Sequence, residues 1–361
     1  GFFDPFPTSL SGDVPPFGSA ARRDKYRITV NSFFAGDEMK FAEKTTINIG
    51  FRYDEVNMEL QGFYDNPADP GDAPDIGQRR EAHNDISYSL GINHLINENS
   101  SIYGNFVSAF RMPDYATYSP VDPQSLTDNP RIQDNERITN IELGYRTGIK
   151  DLGIDLAGFY THIENRLATV YEGAIAVQRP LGTNRIIGGE LALTYAPRVI
   201  SGLLLRGSVT YQNATFQEFK IPVALSDSTG PSFGNTFVDE GQDEGGNTIY
   251  SIDLKGKQVP RIPSTIVNVS ANYDRDYFGA NAALNYFANR YADATNIYKQ
   301  DDIANLNLGI YGKLPLSDNT SLKLNVLLKN VLNTDKALRF LYVSDNDGAL
   351  AQAQLIGSGG A

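Results

Sequence analysis

Three histidines and two acidic segments are the parts of this chain whose chemistry could support catalysis or metal binding. His83, His94 and His162 stand far apart, and no two of them have a metal-ligand spacing such as His-x-x-x-His. The acidic segments Asp65–Asp75 and Asp239–Glu244 offer oxygen atoms to Ca²⁺, but neither follows the spacing of a calcium-binding EF-hand loop. Cysteine is absent, which leaves no disulfide or thiolate site. We therefore expect no enzyme activity, no metal and no cofactor.

A second group of candidates consists of polar residues that alternate with apolar ones along extended segments. Ile141, Leu143 and Tyr145 alternate with Glu142 and Arg146. A period of two over about ten residues predicts a long strand with one apolar and one polar face. Such polar residues need water, because burial in a dry core would cost several kcal/mol each unless they were paired. The alternation places on the polar face Asn48, Arg52, Asn140, Glu142, Arg146, Glu190, Arg206, Asn268, Asn272, Asn305, Asn307, Lys323 and Lys329.

About twelve such strands are predicted between residues 25 and 343, after a proline-rich loop at 1–24. Short turns and long loops alternate along the chain, and the longest insertion is predicted at Phe216–Val259. This two-sided asymmetry is typical of a transmembrane antiparallel β-barrel, in which the short turns lie on one side and the long loops on the other. The sequence therefore predicts an all-β fold of that class.

Composition is compatible with this fold and excludes others. No run of about 18 apolar residues exists, which excludes a transmembrane helix. The net charge of -12 argues against nucleic acid as a partner. Seven tyrosines near predicted strand ends fit either an aromatic girdle at a membrane interface or cross-strand packing in a soluble sheet, and the alternation does not separate the two: Tyr53, Tyr145, Tyr160, Tyr195, Tyr211, Tyr273 and Tyr311.

Five segments together resemble the C-terminal half of a TonB-dependent outer-membrane receptor in their amino-acid sequence, their order and their spacing. They are FVSAFRMPD (106–114), NPRIQDNERITNIELGYRTG (129–148), FYTHIENRL (159–167), GGELALTY (188–195) and LKNVLNTDKALR (328–339). The resemblance implies about twelve strands of a larger, 22-stranded barrel that encloses a plug domain. On this interpretation residues 1–361 are a partial barrel domain, 1–24 are an extracellular loop, and the plug and the closing strand are missing.

The resemblance also implies a function and partners. It implies an outer-membrane active-transport receptor of a Gram-negative bacterium that takes up a scarce solute, such as a ferric siderophore or similar chelate. The energy would come from the TonB complex through the plug, and the apolar face would contact outer-membrane lipid. Five polar-face residues would then face the plug: Arg52, Glu142, Arg146, Glu190 and Arg206.

The segment FRMP ends a predicted strand, because Pro113 cannot donate to a β-ladder. One interpretation places Arg111, Tyr115 and Tyr118 at the outer mouth, in contact with ligand. The other interpretation, which we favour, is that the segment only ends the strand and anchors the rim.

Three alternatives to a TonB-driven receptor remain open at this stage. The first is a passive porin-type diffusion channel without a plug. The second is a soluble β-rich binding module, in which the apolar rows would pack against a second sheet. An outer-membrane enzyme that uses His162 is the third, and no residue pattern supports it.

Overall fold

A computed structural model describes residues 21–65, 75–112, 134–172, 175–223, 237–242, 248–317 and 320–334. All regular structure in these ranges is β-strand, and none of them contains a helix long and apolar enough to span a membrane. The sixteen strands are β1 Ala21–Phe41, β2 Thr45–Asp65, β3 Asp75–Asn97, β4 Ser100–Arg111, β5 Glu136–Ile149, β6 Leu152–Glu172, β7 Ile175–Tyr195, β8 Leu203–Val223, β9 Phe237–Gln242, β10 Thr248–Asp253, β11 Thr265–Asp274, β12 Phe278–Phe287, β13 Arg290–Tyr291, β14 Lys299–Gln300, β15 Ile303–Ser317 and β16 Thr320–Leu328.

Twelve of these strands form one continuous path of hydrogen-bonded neighbours. Its order is β1-β2-β3-β4-β5-β6-β7-β8-β11-β12-β15-β16, and every pair whose register is resolved is antiparallel. Strand β10 pairs with β8 and β9, whereas β13 and β14 form a separate two-stranded sheet. These twelve strands match the twelve that the sequence predicts, and the four short ones lie inside its long connections.

The chain divides into two compact units. The first contains the described residues of Gly1–Ser32 and Asp54–Asp85. In it, Ser32 donates a hydrogen bond to Asp54 at 2.5 Å, and Glu59 forms ion pairs with Arg27 at 3.5 Å and Arg80 at 3.2 Å. The second unit contains all of the remaining structure discussed below.

The apolar residues of the second unit lie in register across neighbouring strands. Tyr145 is paired with Leu156, Leu156 with Leu191, and Leu191 with Val209. Side chains directly opposite one another share a face of the sheet, so each row continues the apolar face from strand to strand. Leu143 is 66% exposed and Leu156 is 53% exposed. This face is therefore solvent-accessible in the described part of the chain, as expected of a surface that meets lipid and not a second sheet.

The buried core lies elsewhere, at the long-connection end of the polar face. Phe216 and Phe219 of β8 stack at 4.5 Å between ring centroids and are covered by residues of the two long connections that follow. We call this cluster the outer cap; its buried members are Ala214, Phe216, Phe219, Ile252, Leu254, Val259 and Ala294. Ile186 of β7 and Ile262 pack against it. At this end of the sheet, side chains therefore pack into a buried core, whereas elsewhere the two faces of the sheet are largely exposed.

Several strands run further than the alternation predicts. The sequence indicates a connection at about 164–184 with extended strand ends, and the extension is long, because β6 and β7 stay paired as far as Glu172 and Ile175. Asn165, with φ of 52°, lies where the register shifts between Ile163 and Arg166. A bulge of this kind resets the two-residue period and so hides the rest of the strand from pattern analysis. Strand β1 begins at Ala21 rather than at residue 25. The sequence also predicts that a further strand begins near 338–343, and those residues lie outside the described part of the chain.

Candidate functional site

The polar face carries a compact group of charged and aromatic side chains near the short-turn end of β4, β5 and β6. Arg146 Nε donates to Asp155 Oδ2 at 2.6 Å, and these two residues lie directly opposite each other. The Tyr103 hydroxyl donates to Asp155 Oδ1 at 3.1 Å, and the Arg146 guanidinium lies 4.2 Å from the centre of the Tyr103 ring. The ring covers Gly144, where an added Cβ would collide with it. This group therefore has a fixed geometry, stabilised by charge-assisted hydrogen bonding and a cation–π contact.

The other predicted polar-face residues are more open. Glu142 accepts a long hydrogen bond of 3.5 Å from Asn105, and Glu190 and Arg206 are exposed. Arg206 is paired with Thr194 across β7 and β8, and it borders a recess whose polar lining includes Thr194, Arg206, Ser208, Asn268 and Asn285. Arg52 is exposed on β2, where it alternates with the exposed Phe51 and Tyr53. The structure thus places all five predicted residues on the polar face, although only Arg146 belongs to the fixed group.

An asparagine ladder crosses β11, β12 and β15 on the same face. Asn268 lies opposite Asn285, and Asn285 lies opposite Asn305. The Oδ1 atom of Asn305 is buried without a hydrogen-bond partner in the described residues. Amide side chains both donate and accept, so the ladder can bind another polar surface. Sequence reasoning identified Asn268 and Asn305 but missed Asn285, although the alternation within Phe278–Phe287 would have revealed it.

One of the seven tyrosines assigned to the aromatic girdle lies on the polar face of the sheet and not on the apolar face. Tyr145 and Tyr160 lie opposite apolar residues, as a girdle requires. Tyr311 lies opposite Gly279 and Asn325 on the polar face, where its hydroxyl donates to Asp274 and the Lys323 ammonium lies 4.0 Å from its ring centre. The prediction that Tyr311 belongs to the girdle is wrong. Its ring covers a glycine, as that of Tyr103 does.

Arg111 is the last residue of β4 and lies directly opposite Glu136, the first residue of β5. Its Nη2 donates to Glu136 Oε2 at 3.0 Å; the Glu136 side chain is 7% exposed and that of Arg111 is 59% exposed. The ion pair joins the ends of two strands beside a long connection, which supports an anchoring role. Tyr115 and Tyr118 lie outside the described residues, so their place beside Arg111 stays a prediction.

We expect Arg111→Ala to destabilise the folded protein by about 1–2 kcal/mol, because the nearly buried Glu136 carboxylate loses this partner. The double variant Arg111→Ala/Glu136→Gln should recover most of that loss, since it removes the charge as well. The urea dependence of the folded fraction would measure both. Equal stability of the wild type and Arg111→Ala would contradict the anchoring role.

A second ionic group, which sequence reasoning did not identify, lies where β9 and β10 meet the end of β8. Glu240 of β9 accepts hydrogen bonds from Ser251 Oγ at 2.6 Å and Lys220 Nζ at 2.9 Å. These contacts join β9, β10 and the end of β8. The Ser251 hydroxyl, and after it Lys220, lowers the pKa of Glu240 below its ordinary value. Only the pairing of three distant segments creates this group, so no local pattern could have predicted it.

The lowered pKa of Glu240 predicts that acid weakens the docking of β9 and β10 onto β8. A carboxyl group with a depressed folded-state pKa stabilises the fold above its unfolded pKa of about 4.3, and that stabilisation is lost as the pH falls through the folded-state value. We expect amide protection factors in β10, corrected for intrinsic exchange, to fall below about pH 4 in the wild type. Glu240→Gln should show no such fall; an unchanged acid dependence in this variant would contradict the assignment.

None of the groups described above is arranged to bind a metal ion or to catalyse a reaction. Across the residues that the structure describes, no three or more His, Asp or Glu side chains are placed to hold a metal ion. His162 Nε2 lies 3.2 Å from Glu164, and its ring stacks on Tyr160. The acidic segment Asp65–Asp75 lies largely outside the described residues, so the expectation that it binds no metal stays a prediction.

Comparison with known proteins identifies the fold to which this two-faced sheet belongs. The family model for the TonB dependent receptor-like β-barrel matches residues 2–331. A probable TonB-dependent receptor of Bordetella pertussis, BfrD, is 24% identical over 169 residues, which are 47% of this chain and 22% of the relative.

Two solved structures share the fold at low sequence identity. The siderophore receptor PiuA from Acinetobacter baumannii matches 86% of this chain and 40% of its own, with a TM-score of 0.62 and 17% identity. The ferric yersiniabactin uptake receptor FyuA from Yersinia pestis matches 91% and 46%, with a TM-score of 0.61 and 15% identity. The chain thus spans less than half the length of these proteins.

The family match extends over nearly the whole chain and confirms the predicted fold class, part of a transmembrane antiparallel β-barrel. The matched family is a family of receptors and not a class of enzymes. The chain belongs to the TonB-dependent receptor β-barrel family.

Proposed function

We propose that this chain forms part of the wall of an outer-membrane receptor that captures a ferric siderophore or similar chelate and takes it up with energy from TonB. The observation that carries the proposal is the division of the sheet into an exposed apolar face and a polar face rich in charges, within a chain of this family. Two structural neighbours, PiuA and FyuA, are named as siderophore and ferric yersiniabactin receptors, which supports the choice of substrate.

The proposed location is the outer membrane of a Gram-negative bacterium, with the apolar face against lipid. Ile141, Leu143, Tyr145 and Ile149 lie on one face of β5 over eight residue intervals. At about 3.3 Å per residue and a tilt of about 45°, that stretch covers roughly 20 Å of membrane thickness. This height is close to the apolar band of about 25 Å that outer-membrane barrels present.

The polar face is proposed to hold a plug domain inside the barrel. Glu190 and Arg206 are exposed there with no hydrogen bond or ion pair to any described residue, and the asparagine ladder has an unused acceptor at Asn305. Glu142, Arg146 and Arg52 would contribute further charge around the same surface. A polar plug would give hydrogen-bond partners to Glu190, Arg206 and Asn305, whereas packing them against an apolar surface would leave buried polar groups without partners, at a cost in free energy.

The absence of cysteine from the chain gives this arrangement a direct test. Arg206→Cys should be shielded from a membrane-impermeant maleimide while a plug is in place and should cross-link to it. Val209→Cys, three residues further along β8 and on the apolar face, should do neither. Cross-linking of Val209→Cys, or free labelling of Arg206→Cys in the intact receptor, would argue against a plug at this surface.

Ligand contact is proposed for the outer mouth, where Tyr115 and Tyr118 follow the anchored end of β4. Arg111 is proposed to hold the end of the strand while its exposed guanidinium edge remains near the ligand.

Uptake of a radiolabelled ferric siderophore by cells tests the function as a whole. Uptake should require both the receptor and TonB, and dissipation of the proton gradient should abolish it. A passive porin would conduct without TonB and would let small sugars swell liposomes. A soluble binding module would instead remain monomeric in buffer without detergent.

A further inference from the structure

The polar face of the second unit consists of two sections with different chemistry. The part on β5 to β8 carries both signs of charge, and we call it the charged section; its charged residues are Glu142, Arg146, Asp155, Glu190 and Arg206. The part on β11, β12 and β15 carries asparagines instead, and we call it the amide section; its asparagines are Asn268, Asn272, Asn281, Asn285, Asn305 and Asn307. The two sections meet where Arg206 of β8 lies opposite Ser270 of β11.

The amide section contains no charged side chain over four successive rows of the polar face. The rows on β11 and β12 pair Ile266 with Phe287, Asn268 with Asn285, Ser270 with Ala283, and Asn272 with Asn281. On β15 the same rows continue as Ile303, Asn305, Asn307 and Gly309. The first charge toward the short turns on β11 is Asp274, in the next row. The section is therefore neutral, and most of its hydrogen-bonding groups are amides.

The amides of this section are accessible at the surface of the sheet. Asn268 and Asn281 are exposed, and Asn285 and Asn307 are half-buried. A recess of about 420 Å³ lies where the two sections meet, and it is lined by Arg206 on one side and by Asn268 and Asn285 on the other. Another polar surface can therefore reach these side chains directly.

A plug bound to this face would be held with different strength by the two sections. Hydrogen bonds to a charged group are roughly twice as strong as those between neutral groups. A charged group that loses its partner in a contact without water is also left at a higher cost in free energy than an amide. An amide can exchange a partner on the plug for water or for an atom of the solute, because it both donates and accepts. Separation of the plug is therefore easier along the amide section than at Glu142, Glu190 and Arg206.

We propose that the plug separates first from the amide section, so that the passage for the solute opens along these asparagines while the charged section still holds the plug. The inference rests on the plug contact proposed above. Such a passage suits a solute whose surface presents oxygen or nitrogen atoms for hydrogen bonding, since every amide along it offers both a donor and an acceptor. Because the amide section is neutral, it contributes no ion pair that would retain a charged chelate.

Ala157 and Ala283 provide a matched pair of labelling positions, since this chain has no cysteine of its own. Both are half-buried alanines on the polar face; Ala157 lies opposite Glu190, and Ala283 lies opposite Asn307. In the purified intact receptor, a hydrophilic maleimide should react with either introduced cysteine only when the plug moves away from it. We expect Ala283→Cys to react at least about tenfold faster than Ala157→Cys, because charge-assisted contacts must break beside Ala157.

Removal of one contact from each section tests the cause of this difference. Glu190→Gln keeps the shape of the side chain and removes its charge, so it should raise the reaction rate of Ala157→Cys about tenfold. Asn285→Ala removes one neutral amide and should raise the rate of Ala283→Cys by no more than about threefold. Equal rates for the two cysteines in the otherwise unchanged receptor would overturn the inference, as would faster reaction of Ala157→Cys. A larger effect of Asn285→Ala than of Glu190→Gln would overturn it as well.

Val199→Cys separates a failure of this inference from a failure of the proposed plug contact. Val199 lies in the short turn between β7 and β8 and is 90% exposed, so its cysteine gives the reaction rate of an uncovered position. If Ala157→Cys and Ala283→Cys both react as fast as Val199→Cys, no plug covers the polar face and the proposed plug contact is wrong. If both react much more slowly than Val199→Cys but at the same rate as each other, only the present inference is wrong. Heat-dependent migration on gels should be the same for all variants, which ensures that each rate comes from the folded receptor.

Discussion

Replacement of Val269 by arginine is expected to destabilise the membrane-inserted protein by about 2–4 kcal/mol. Val269 lies in the middle of β11, 48% exposed on the apolar face, opposite Gly207 on β8 and Leu284 on β12. An arginine at this height must leave its guanidinium group in hydrocarbon or bend a long way to reach water. Its neighbours on this face are apolar or lack a side chain, so they offer it no acceptor.

The neighbouring residue supplies the control. Asn268 precedes Val269 on the same strand but points to the polar face, where it donates to Ser208 at 3.4 Å. Asn268→Arg should change stability by less than about 0.5 kcal/mol, because the new charge remains in a polar surrounding. The folded fraction in phospholipid vesicles, followed by gel mobility against urea, measures both variants. A larger loss for Asn268→Arg would mean that the polar face, and not the apolar one, is the face away from water.

Replacement of Phe216 by alanine is expected to cost the outer cap about 3–5 kcal/mol of local stability. The side chain is fully buried, stacks on Phe219 and lies 5.2 Å from the Arg166 guanidinium. Its removal eliminates the ring that β10 and the following loop cover. We expect local unfolding of the cap and not of the barrel wall, because the wall is held by strand pairing that does not pass through Phe216's side chain.

Hydrogen exchange resolves the two regions. Three amides report on the cap directly: Leu254 bonds to the Phe219 carbonyl at 2.9 Å, Gly256 to Phe216 at 2.9 Å and Val259 to Ala214 at 3.0 Å. These should lose most of their protection in Phe216→Ala, whereas amides of β5 should keep theirs. Phe278→Ala removes the same atoms from a side chain that is 54% exposed and should leave the cap unchanged. Uniform loss of protection in β5 and the cap would show that the two are one cooperative unit.

The sequence by itself determined the faces of the strands. In β5 the alternation of Ile141, Leu143 and Tyr145 with Glu142 and Arg146 is confirmed by register with both neighbours. Twelve strands and the order of short and long connections were predictable for the same reason. The two-residue period is fixed by the geometry of the extended backbone within a single strand. The sequence of one strand is therefore enough to assign its apolar and its polar face, whichever strands lie beside it.

The tertiary structure decided everything that depends on which strand residues meet. The pairing of Arg146 with Asp155, the Glu240 contacts that join β9 and β10 to β8, and the position of Arg206 beside the amide section all follow from register between separate strands. Strand ends were equally out of reach, since the bulge at Asn165 breaks the period on which pattern analysis relies. Register is set by hydrogen bonds between segments that can be far apart in the chain. A single segment therefore specifies its two faces but not its neighbours' side chains.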